Sequence, residues 1–164
     1  MRALTVDEIR ASFVNLGDDE IARLPLPGLH EVLWDEREYL GWRDPRAANR
    51  GYLVFWRGDD AIGIALRASD VPLRAGIPAM CSLCHTTQPS SQVTMFTAAR
   101  AGQAGRDGSS VGTYICADLA CSLLIRMLPS GSHVHAAPDH LLAVRVDGLL
   151  ARVEAFSADV TRGR

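Results

Sequence analysis

Four cysteines stand in two close pairs, Cys81-Ser82-Leu83-Cys84 and Cys116 with Cys121, and the chain has no others. A two-residue gap lets two thiolates face one metal from a tight turn. Two such pairs on either side of a strand-like stretch suit a tetrahedral four-sulfur zinc site. The 31 residues between the pairs exceed common zinc-finger spacing, and the four residues inside the second pair are unusual too. The pattern gains weight because the two pairs use every cysteine. The opening, Met1 to Glu8, has no signal-like apolar run, and no stretch approaches membrane-spanning length. A cytoplasmic protein is expected, in which thiols stay reduced and disulfides do not account for the cysteines.

Other uses of the cysteines explain less. A redox Cys-x-x-Cys covers only half of them. His85 is the alternative fourth ligand. A catalytic zinc keeps one coordination position open, whereas four cysteines close it, so one structural Zn²⁺ is expected. A zinc deaminase needs His-x-Glu before Pro-Cys-x-x-Cys; here Met80 precedes Cys81 and no His-x-Glu exists. His133, His135 and His140 read as a solvated loop rather than a second metal site.

All 17 basic side chains are arginine. Without lysine there is no Walker A loop, no Schiff-base chemistry and no kinase signature. No nucleophilic triad is visible either. The chain is read as a non-enzyme with no small-molecule substrate and no membrane partner. The net charge of −2 gives no global demand for nucleic acid. It is unevenly spread: residues 1–40 carry four arginines against nine acids, residues 41–126 nine against six.

With 164 residues and 48% hydrophobic content, one α+β domain over 1–164 is expected, with a helical lead-in at 1–50 and a zinc finger at 80–128. Thr5-Val6-Asp7-Glu8 is a capping box, followed by Val6, Ile9 and Phe13 at helical spacing. Asp18 to Leu24 suggests a second short helix, and Pro27 opens a third through Leu40, broken by Gly41-Trp42-Arg43-Asp44-Pro45. Tyr52 to Trp56 and Ala61 to Arg67 form an antiparallel hairpin around Arg57-Gly58-Asp59-Asp60. Val93 to Thr97 and Gly112 to Ile115 are a second strand pair, joined by a glycine-rich, basic loop at 98–110. Asp118 to Leu128 is read as helical. A last helix puts Leu142, Val146, Leu149, Leu150, Val153 and Phe156 on one face. Trp34, Trp42, Phe55 and Trp56 are assigned to the core.

Knuckle, hairpin and helix in this order are the parts of a treble-clef zinc finger. Met80-Cys81-Ser82-Leu83-Cys84-His85, Val93-Thr94-Met95-Phe96-Thr97-Ala98 and Gly112-Thr113-Tyr114-Ile115-Cys116-Ala117-Asp118-Leu119-Ala120-Cys121 resemble the elongation-factor-G-binding proteins, specifically their carboxy-terminal treble-clef domain. The fusidic-acid-resistance proteins are the best-known members. Gly41-Trp42-Arg43-Asp44-Pro45 is similar to a motif of the actinobacterial branch. The resemblance implies zinc ligation by Cys81, Cys84, Cys116 and Cys121. It implies binding to elongation factor G and assistance in its release from the ribosome, with antibiotic resistance as one outcome. It implies partner contacts at Phe96, Arg100, Arg106 and Tyr114. The helical bundle that precedes the zinc domain in resistance proteins has no counterpart in the roughly eighty residues before Cys81. The competing expectation is direct binding of ribosomal RNA through the arginines of the 98–110 loop.

Overall fold

The capping box forms as its residues require: Glu8 N–H donates to the Thr5 hydroxyl at 3.2 Å, and Thr5 N–H donates to the Glu8 carboxylate at 2.8 Å. This box opens α1 (Val6–Ser12), and α2 (Asp18–Ala22) follows. The computed structural model describes residues 1–127 and 138–162; His133, His135 and Leu128 lie outside them. No helix among the described residues is long and apolar enough to cross a membrane.

The helix expected from Pro27 to Leu40 does not form. Two short 3-10 turns, Leu29–Glu31 and Trp34–Glu36, stand in its place. Leu40–Arg43 is then strand β1, paired antiparallel with β2 (Arg50–Arg57), Leu40 against Val54. Gly28 weakens the first turn such a helix would need, and sheet pairing claims its end. The lead-in at 1–50 is thus only partly helical. The first hairpin is as expected: β2 pairs with β3 (Asp60–Ala68) in full register from Arg50–Arg67 to Arg57–Asp60.

The second hairpin, β6 (Val93–Ala99) and β7 (Ser110–Cys116), is longer than its sequence signal. Its glycine-rich connection contains a short helix, α3 (Gly102–Arg106). These five strands form one antiparallel sheet in the order β1-β2-β3-β6-β7. β3 and β6 share only two register pairs, Arg67–Thr97 and Ala68–Phe96, so the sheet forks beyond them. Asn15 enters this fork. Its side chain donates to the carbonyls of Ala65 and Ala99, both at 3.0 Å, and accepts from Ala65 N–H at 2.8 Å.

Side-chain alternation gives the sheet two different faces. Leu53, Phe55, Ile64, Leu66, Phe96 and Ile115 face one core, with all four cysteines and the long helix α5 (Pro138–Thr161), whose Leu149, Val153, Phe156 and Val160 are buried there. Tyr52 and Val54 face a second core under the lead-in, built from Leu4, Ile9, Phe13, Leu24 and Trp42. Phe13 meets Trp42 and Tyr52 edge-on at 6.4 and 5.9 Å. Of the four aromatics assigned to the core, Trp42 and Phe55 are buried, and Trp34 and Trp56 pack partly buried at its edge.

Candidate metal centre

β4 (Ala79–Met80) and β5 (Thr87–Gln88) form a two-stranded ribbon, and the loop between them carries Cys81 and Cys84. Its turn is closed by His85 N–H to Cys81 carbonyl at 2.9 Å, with His85 at φ +55°. Inside it, the N–H groups of Leu83 and Cys84 point at Cys81 Sγ, at 3.3 and 3.5 Å. Ser82 N–H donates to the Tyr114 carbonyl at 2.8 Å, fastening this knuckle to β7.

Cys116 ends β7, and Cys121 begins α4 (Cys121–Leu124). The helix expected over Asp118 to Leu128 is therefore a single turn. Leu119 takes φ +60°, with its N–H bonded to the Cys116 carbonyl at 2.9 Å. That tight turn folds Cys121 back toward Cys116 and delays the helix.

The four sulfurs lie within 4.8 Å of one another, and all four residues are buried. Cys81 and Cys121 Sγ are 3.6 Å apart, as are those of Cys84 and Cys116. A Zn–S bond of about 2.3 Å gives a tetrahedral S–S edge of about 3.8 Å, so one zinc fits this donor set. His85 N–H serves the turn, and no histidine joins the cluster among the described residues.

The four clustered thiols push one another's pKa values in opposite directions. Hydrogen bonds from Cys116, then Cys121, hold Cys81 down to about 7 and Cys84 lower still; hydrogen bonding with Cys116 pushes Cys121 up. A dication removes the conflict by stabilising every thiolate.

Two side chains complete the site. Gln88 Nε2 donates to Cys116 Sγ at 3.1 Å. Tyr39 is 1% exposed, and among the described residues its hydroxyl has no hydrogen-bond partner. Burial holds its pKa well above the ordinary phenol value, and the adjacent Cys121 sulfur raises it further. A buried O–H beside a sulfur is an orphan only while that sulfur is a thiol; a zinc-bound thiolate gives it an acceptor.

The structure holds Tyr39 there from both sides. Glu38 forms a two-pronged ion pair with Arg126 at 2.8 and 2.9 Å, and Glu38 N–H donates to the Ser122 hydroxyl at 3.0 Å. Gly41 passes so close that a Cβ would stand 2.5 Å from the Leu119 carbonyl oxygen and 2.8 Å from the Tyr39 ring. The Gly41-Trp42-Arg43-Asp44-Pro45 motif is thus architectural. Trp42 Nε1 donates to Pro25 at 2.8 Å, Arg43 lies over the Phe96 ring, and Asp44 accepts from Arg46 N–H at 2.8 Å. Neither Tyr39 nor Gln88 stands out in the sequence, because neither forms part of the cysteine pattern.

The four residues expected to contact a partner do not form one patch. Phe96 is completely buried between the Arg43 guanidinium and the core, so its assignment as a contact residue is corrected to a core residue. Alternation along β6 turns it away from the open face that carries Met95 and Thr97. Arg100 donates to the carbonyls of Asp159 and Arg162, where it caps the end of α5. Arg106 is exposed and hydrogen-bonds Gln103 at 3.0 Å. Tyr114, 39% exposed, sits near the zinc end of β7.

Knuckle, hairpin and a helix beginning at the last ligand define a treble-clef zinc-binding protein. The chain belongs to the family of FBP C-terminal treble-clef zinc-fingers, whose model matches residues 8–160. Among solved structures it is similar to the fusidic acid resistance protein FusC, at 21% sequence identity and a TM-score of 0.47. The match covers 71% of this chain and 56% of that one, so this chain spans little more than half of that protein's length. No curated protein matches the chain in sequence.

Proposed function

We propose that this protein binds translation elongation factor G and helps it leave the ribosome, acting in the cytoplasm by binding and not by turnover. The observation that carries the reading is the family match over residues 8–160, together with the cysteine and hairpin motifs that resemble elongation-factor-G-binding proteins. The site chemistry agrees. Four buried cysteines fill a zinc's coordination sphere and leave no position for a substrate or an attacking water.

Of the expected contacts, Tyr114 and Arg106 are the exposed ones and therefore the ones available to a protein partner. They sit toward opposite ends of the β6–β7 hairpin, four residues of strand apart from Tyr114 to Ser110, or about 14 Å. A partner engaging both would lie along β7, a sheet edge. Direct binding of ribosomal RNA by the 98–110 loop loses support, because Arg100 is committed to α5.

The test is a pull-down and an anisotropy titration of the zinc-loaded chain against purified elongation factor G, free and on ribosomes. Saturable binding to the factor is expected. Binding to bare ribosomes with none to the factor would overturn the reading.

A further inference from the structure

On the lead-in side of the sheet, where the cover from α1 and α2 stops, a groove of about 1000 Å³ opens at the fork between β3 and β6. Arg50 and Arg67 lie in it as direct register partners of β2 and β3. Paired residues on antiparallel strands project side by side from one face, so two guanidinium groups leave the sheet together. Both side chains are exposed, and among the described residues neither forms an ion pair. Like charges in this arrangement destabilise a sheet.

A third arginine, Arg23, also lines the groove, with its Nε donating to the Asp19 carbonyl at 3.0 Å. Two carboxylates also face the groove, but each has internal work. Glu20 accepts from Gly17 N–H at 3.3 Å, and Asp44 accepts from Arg46 N–H and from the Tyr52 hydroxyl. The remaining rim carries the hydroxyls of Thr97, Ser109 and Ser110. The lining thus carries three arginines against two carboxylates, a net positive charge, with Arg50 and Arg67 paired and neutral hydrogen-bonding groups around them.

We infer that this groove is a binding site for phosphate groups, gripped by Arg50 and Arg67 from the sheet and by Arg23 beside them. Guanidinium forks match phosphate oxygens two at a time. Two forks on one point suit a phosphate, which presents several charged oxygens, better than a carboxylate, which presents a single charge. The one aromatic in the lining, Tyr52, has its ring packed against Phe13 and Trp42 and its hydroxyl on Asp44. The phosphate can be free or part of a single strand of RNA. The same sheet face continues past Thr97 to Met95 and the exposed Tyr114, a ring on which a base can stack. The three arginines are independent of the elongation-factor reading, and Tyr114 is the one residue the two readings share.

The experiment uses the full, zinc-loaded chain. Calorimetric titration with inorganic pyrophosphate tests the free ligand, and anisotropy with a labelled oligouridylate of about twelve nucleotides tests the strand. At least one should bind, and Arg50→Gln with Arg67→Gln should weaken it about tenfold or more, with zinc content unchanged. Oligonucleotide affinity should fall with added salt, and the double variant should flatten that dependence by about two phosphate contacts. The variant's thermal midpoint should hold or rise, because a like-charge pair is gone. Should the double variant lose zinc, Arg23→Gln carries the test, with a weakening of about threefold or more expected. Pyrophosphate binding alone assigns a free ligand, and oligonucleotide binding alone assigns an RNA strand. The inference is overturned if neither probe binds at millimolar concentration, if binding survives the substitutions, or if only an acidic peptide binds.

Discussion

The two faces of the sheet differ in how completely they are covered. The face toward α5 is closed over its centre: Leu53, Phe55, Ile64, Phe96 and Ile115 are each fully buried against the zinc cluster and the helix. The other face is covered over β1 to β3 by the lead-in and left open over β6 and β7, where Met95, Thr97, Gly112 and Tyr114 reach solvent. Stability is concentrated on the first face, which holds the metal ligands and the larger core. The second keeps exposed groups where its cover stops: a pair of arginines, a tyrosine and several hydroxyls. Phe96 and Tyr114 illustrate the division, since each belongs to the same hairpin and alternation sends them to opposite faces.

The comparison breaks most easily at the metal. Cys121→Ser, or chelation of the wild type, should release zinc and unfold the finger together. Metal binding to structural zinc sites is worth about 10–16 kcal/mol, as large as the whole stability of an ordinary domain. Zinc release measured alongside near-ultraviolet circular dichroism checks this. A chain that keeps its native spectrum after complete zinc removal would contradict it.

Phe96→Ala should come next, with a loss of about 3–5 kcal/mol in denaturant unfolding, because it empties a ring-sized space in the closed face. Partner binding by the fraction that remains folded should be unchanged. An unaltered unfolding midpoint with lost partner binding would return Phe96 to the surface.

Tyr39→Phe removes only an oxygen, so packing is retained and the donor to Cys121 is lost. Zinc affinity should weaken about tenfold in a competition with a chromogenic chelator, equivalent to about 1.4 kcal/mol. Equal zinc affinity in the two proteins would show that the hydroxyl has no part in holding the thiolate.

Tyr114→Ala should have the smallest effect on folding, within about 0.5 kcal/mol, because its ring lies on the open face. If that face is the partner surface, binding to elongation factor G should weaken by about 1–2 kcal/mol. Unchanged binding would move the contact elsewhere along β7.

Features whose partners lie a few positions away were readable along the chain. The capping box at Thr5, the Cys-x-x-Cys turn and the hairpin around Gly58, which sits at φ +61°, each depend on local dihedrals and short hydrogen bonds. The second cysteine pair was also legible, since its residues lie on one short turn. The stretch from Pro27 to Leu40 was not, because its helical spacing competes with an edge pairing that only β2 supplies.

Tyr39 and Cys121 lie far apart along the chain, and nothing near either residue records that they come together. Arg50 and Arg67 become neighbours only through the register of β2 with β3, and Phe96 is buried only because β6 joins β3 with that face inward. Local order thus decided the zinc ligands, the hairpins and the caps, through steric and hydrogen-bonding preferences that act within a turn. Tertiary packing decided which distant residues share a face, because register and burial are set by the whole sheet at once and a shift of one residue would exchange the two faces.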